Sequence, residues 1–213
     1  MTSVATFFFD NLWSGVVVWV VLYISDYSLT LVCARLYRQG VCDKIAFEGS
    51  FELTPYFQAD IDALRTVSPR FLAALIIGLV YLAAIRWLAA ESQPGLYEFV
   101  LGAAISSELA IHVRHLRNLF LFRTIVRSEA IQGRIYYSRP IILQMSSVEL
   151  LGFSVLFGVL AIFTSSWFLM GGTAACVGLA LKHWRQASRQ AKDGKTETKV
   201  LQTATGTGAP VSN

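Results

Sequence analysis

The chain has 213 residues, 54% of them hydrophobic and 15% charged, with a mean hydropathy of +0.52. Soluble domains carry about 25% charged residues, so the composition excludes an ordinary soluble globular protein. Formal net charge is +4, from 18 Lys+Arg and 14 Asp+Glu, and a basic balance at this hydropathy points to membrane sidedness before nucleic acid.

Five apolar stretches follow in chain order, at about 12–34, 71–90, 96–115, 141–164 and 166–184. In lipid each is expected to be a helix, because its backbone groups find no water. Residues 141–181 hold no Lys or Arg and as one helix would reach about 60 Å, roughly twice the hydrocarbon thickness. A turn is therefore required, at Thr164-Ser165-Ser166 before Trp167 or, alternatively, at Gly171-Gly172. The reading is all-α: a transmembrane bundle over 1–188 and a disordered cytoplasmic tail over 189–213, poor in apolar residues.

Between the first two spans, Thr54-Pro55 is a good helix start, and Phe57, Ile61, Leu64 and Val67 recur at helical spacing. This predicts a short amphipathic helix over about 55–67, lying at the inner surface. No Lys or Arg precedes Arg35 and no small-residue cleavage site follows, so span one is expected to be retained. Cys33, Cys42 and Cys176 have no metal-binding spacing, and no structural disulfide is expected of them.

Basic residues assign the sides. After span one come Arg35, Arg38, Lys44, Arg65 and Arg70; after span three Arg114, Arg117, Arg123, Arg127, Arg134 and Arg139; after span five Lys182, Arg185, Arg189, Lys192, Lys195 and Lys199. That places 17 of the 18 on one face, so the N-terminus is expected outside and the C-terminus in the cytoplasm. The expected location is a cell membrane, the inner one if the source is bacterial. Trp13, Trp87, Tyr97 and Trp167 fall at the outer ends of spans and Tyr37, Tyr137 and Trp184 at the inner ends, as interfacial anchors do.

Ionisable residues within spans cost about 2.5–3.5 kcal/mol each at the bilayer centre and are functional hypotheses by default. Here they are Asp26, Glu108, His112 and Glu149. The three carboxyl groups share the inner half of their spans, and with His112, Thr30, Ser106 and Ser146 they are expected to form a polar pocket or ion path open to the cytoplasm. Packing glue between helices is the structural alternative. Glu108, His112 and His115 lie at i, i+4 and i+7 on one helix face, which makes them a candidate ligand set for zinc or another imidazole-binding metal. Arg86 and Glu98 flank the second turn and are expected to pair at the outer end. Arg114, Arg117, Arg123 and Arg127, with apolar residues interleaved, form a candidate site for anionic lipid headgroups. Small residues four apart, such as Gly102 and Ser106, would let helices approach closely, within one chain or between copies.

Asp26-Tyr27-x-x-Thr30 in a first span, then Glu52-Leu53-Thr54-Pro55 before a second, resembles a pattern in small uncharacterised bacterial multi-pass membrane proteins of the domain-of-unknown-function type. That pattern has Asn at the place of Thr54. The resemblance covers about a quarter of the chain and implies no activity, only that Asp26 and Glu52 approach each other near the inner face.

No nucleotide-binding loop and no serine or cysteine nucleophile motif is present, and no cofactor follows from the sequence. The first functional reading is proton-coupled or cation transport. The alternatives are a non-catalytic subunit or scaffold that docks a partner through the basic face, and a metal-dependent membrane enzyme. Expected partners are the lipid bilayer and either further copies of the chain or another membrane protein, with no nucleic acid.

Overall fold

Proline opens four of the six main helices in the computed structural model, which describes residues 13–49, 53–89, 92–128 and 132–205, with side chains as far as Lys192. Helix α1 is Ser14–Leu36, α2 Pro55–Asp62, α3 Pro69–Ala89, α4 Pro94–Arg127, α5 Arg139–Thr164 and α6 Trp167–Thr205. Pro55, Pro69, Pro94 and Pro140 each occupy the first turn, where a missing N–H costs no helical bond. Ser68 caps α3, its Oγ accepting from the Phe71 N–H at 3.2 Å.

Four of these helices, α1, α3, α4 and α5, are long and apolar enough to cross a membrane. Their outward residues are not those of a soluble surface: Ile77 is 69% exposed, Trp87 82%, Ile162 78% and Phe163 82%. Such continuous apolar faces are stable only against lipid or another apolar surface. Helix α6 is less apolar, being rich in glycine and alanine, yet it packs along both α4 and α5.

The turn between α5 and α6 falls at Thr164-Ser165-Ser166. Ser165 takes the left-handed conformation (φ 51°) and Ser166 Oγ accepts from the Leu169 N–H at 3.4 Å. Gly171 and Gly172 lie inside α6 and serve close packing: a Cβ at Gly171 would run into the Phe99 carbonyl of α4, and one at Gly172 into the Ser106 side chain. Gly102 of α4 stands likewise against the Phe168 carbonyl. Alignment of 102 with 168, 106 with 172 and 110 with 176 makes α4 and α6 parallel, while the Ser147 bond to the Ala180 carbonyl makes α5 and α6 antiparallel. In α3, Gly78 receives the Trp19 ring of α1.

At the opposite end from the α5–α6 turn the chain builds a cap. Helix α1 ends in a π-helical turn, Tyr37–Val41, where Gly40 adopts φ 130°, open to glycine and strained for other residues. The following strand β1, Ile45–Phe47, pairs in parallel with β2, Ile135–Tyr137, in the register Ile45 to Ile135. These strands are absent from the expected elements, three residues being too short to show a period. Cys33, Val41, Ile45 and Phe122 bury together beneath them.

Three further differences have local causes. Helix α2 stops at Asp62 rather than near 67, with Leu64 at φ 51°, because buried Asp60 accepts from Ser68 Oγ at 2.6 Å and Arg65 Nη1 at 3.0 Å and folds the chain back. Val67 is consequently exposed while Ile61 is buried. Helix α4 runs twelve residues beyond the expected end at 115 to Arg127; at about 1.5 Å per residue it is about 50 Å long and overshoots a bilayer. Helix α6 carries its backbone through 189–205, the first part of the expected tail, and 206–213 lie outside the described residues.

Candidate functional site

Helices α1 and α4 pack along their length, which turns Ser25, Asp26 and Thr30 towards Glu108, His112 and His115. One ligand atom from each of Asp26, Glu108 and His112 lies within 4.8 Å of the others. His112 Nδ1 donates to the Glu108 backbone carbonyl at 2.7 Å, which leaves Nε2 facing Ser25 Oγ at 2.5 Å. Ser25 has one proton and a second acceptor in reach, the Leu22 carbonyl at 3.0 Å. His115 Nε2 sits 3.0 Å from Asp26 Oδ1 and 3.3 Å from Thr30 Oγ1, whose own proton goes to the Asp26 carbonyl. Glu108 Oε2 is buried with no hydrogen-bond donor among the described residues, while Asp26 Oδ1 has His115 Nε2 beside it at 3.0 Å.

The cluster borders a cavity of about 490 Å³. One wall carries Asp26, Thr30, Glu108 and His115; the facing wall, from α5 and α6, carries Ser146, Glu149, Lys182 and His183. Phe47, Phe57, Tyr137 and other residues of the cap segments roof it. Across it, Glu149 binds Arg114 Nε at 2.7 Å and Arg117 Nη1 at 3.1 Å. Ser146 Oγ meets His183 Nδ1 at 2.7 Å. The three intramembrane carboxylates thus line one cavity but differ in role: Asp26 and Glu108 stand together, and Glu149 is neutralised by arginines.

Other sequence candidates are placed differently. Ser106 is buried in the α4–α6 contact against Gly172, away from the cavity wall. His115 reaches the cluster through Asp26, and the tight triad contains Asp26 in its stead. Arg86 makes no ion pair with Glu98 among the described residues; its guanidinium lies 5.2 Å from the centroid of Tyr97, itself buried and not an interfacial anchor. The reason is position, since Tyr97 faces α3 while Glu98 is one residue further round the helix. Arg114 turns inward with a 12% exposed side chain to pair with Glu149, so it does not face headgroups, whereas Arg123 and Arg127 are exposed. Glu52 lies outside the described residues. Sequence reasoning missed Ser25 and His183; adjacency to Asp26 was the only signal for Ser25, and His183 sits one residue after the first lysine of the basic end.

Fold and site together define a class: a helical bundle with the long apolar helices of a membrane protein and a carboxylate–histidine cluster beside an internal cavity. Comparison with protein-family models, curated proteins and solved structures returns no match.

Proposed function

We propose that the chain is a five-crossing membrane protein that moves protons or cations through its intramembrane cavity, with its N-terminus outside and its C-terminus in the cytoplasm. The observation that carries this is the meeting of Asp26, Glu108 and His112 within 4.8 Å, on helices apolar enough to span lipid, at the border of a 490 Å³ cavity. Two carboxylates this close repel each other at low dielectric unless a cation or proton is shared between them. The fifth crossing is supported by α6 running parallel to α4 from Trp167, which packs on Gly95, the second residue of α4. The β1–β2 pairing gathers the two longest loops at one end, and Ser146 to His183 brings the basic part of α6 to that end as well. Positive-inside bias then makes the capped end cytoplasmic.

Flux in reconstituted vesicles tests the reading. Wild-type protein is expected to dissipate a proton or cation gradient, and Asp26→Asn and Glu108→Gln to abolish that flux while retaining helical circular dichroism. Absence of wild-type flux, or equal flux in both variants, overturns it.

A further inference from the structure

The donors at the cluster discriminate among cations. An imidazole nitrogen and two carboxylate oxygens suit the borderline divalent metals; magnesium and calcium select all-oxygen shells and alkali ions do not need imidazole. His112 is already arranged as a metal ligand, because its Nδ1 donates to the Glu108 carbonyl at 2.7 Å and so leaves Nε2 with the lone pair. Glu108 Oε2 is buried without a hydrogen-bond donor among the described residues, an environment that a coordinated cation satisfies, and Asp26 Oδ1 has His115 Nε2 beside it at 3.0 Å. The charge also matches: two carboxylates cancel a divalent ion, whereas left alone they are two like charges side by side in a medium that penalises each.

We propose that Asp26, Glu108 and His112 bind a divalent first-row transition-metal ion of the zinc, iron and manganese group. The proposal rests on the reading of this cluster as a cation site and names the cation. Metal–ligand bonds of about 2.0–2.2 Å place donors on the order of 3–4 Å apart, and separations within 4.8 Å require only side-chain adjustment. Ser25, whose hydroxyl faces His112 Nε2 at 2.5 Å, supplies a further oxygen or yields its place to water.

Untagged full-length protein in detergent, loaded with Co²⁺ or Zn²⁺ and dialysed, is expected to retain about one ion per chain by elemental analysis. X-ray absorption of the zinc form should show one imidazole in an otherwise oxygen shell. Asp26→Asn and His112→Gln should each weaken retention tenfold or more, and Arg134→Gln, at an exposed loop position, should leave it unchanged. The proposal is overturned by wild-type protein that is helical yet retains no metal, by a sulfur shell, which would assign the ion to cysteine, or by wild-type retention in both variants. The X-ray absorption result decides the case even where a variant fails to fold. Proton flux that depends on Asp26 without any bound metal removes this inference and keeps the transport reading. Bound metal without flux removes the transport reading and keeps the site.

Discussion

Arg114 Nε donates to Glu149 Oε2 at 2.7 Å, joining α4 and α5 across the cavity. Both side chains are largely buried, at 12% and 18% exposure; Arg117 also reaches Glu149, at 3.1 Å, so it is loss of the glutamate that leaves a buried charge, Arg114, uncompensated. Glu149→Met is therefore expected to destabilise the detergent-solubilised protein by about 3–5 kcal/mol. The double variant Arg114→Met/Glu149→Met should recover most of that loss. Thermal melting of the three proteins checks it; a double variant as unstable as the single would show that the pair contributes through packing instead.

The α4–α6 contact depends on the missing side chains of Gly102 and Gly171, which face the Phe168 and Phe99 carbonyls. A backbone carbonyl does not move aside as a side-chain tip does. Gly102→Val or Gly171→Val should push the helices apart at a cost of about 1–3 kcal/mol or more, seen as a lower melting temperature and a broadened size-exclusion peak. Gly152→Val is the control, because a Cβ there meets nothing within 4 Å; equal damage at position 152 would count against the close-approach account.

At the opposite end from the cap, Arg86 lies over the Tyr97 ring at 5.2 Å rather than beside Glu98. Tyr97→Leu should remove a cation–π attraction of about 0.5–2 kcal/mol, and Glu98→Gln should leave stability unchanged. A double-mutant cycle between positions 86 and 97 reads the coupling directly. Coupling found instead between 86 and 98 would restore the ion pair.

Asp60 holds the return of the chain from α2 to α3 through Ser68 Oγ and Arg65 Nη1. Ser68→Ala is expected to cost about 1–3 kcal/mol, since the buried carboxylate loses a donor and the Phe71 N–H its cap. Limited proteolysis within 53–68 should then accelerate before the whole protein melts. Cleavage at the wild-type rate would show that Arg65 alone secures the segment.

Hydropathy and charge in the sequence determined the apolar stretches, because crossing lipid is a demand each segment meets alone. Four stretches appear as long apolar helices, and the serine turn at 164–166 follows from hydroxyl capping that the local sequence already contains. Period and position likewise placed Asp26, Glu108 and Glu149 at similar depth. Only the tertiary structure decided which of them meet. Whether Asp26 faces Glu108 and His112, and whether Glu149 faces Arg114, depends on how each helix is rotated about its axis. That rotation is set by partners distant in sequence: Trp19 on Gly78, Phe168 on Gly102, Ser147 on the Ala180 carbonyl. The small β1–β2 pairing is of the same kind, three residues against three across about ninety positions, with no period to announce it. A segment's fitness for lipid is written in the segment itself, while the pairing of its few charged groups is a property of the packed bundle.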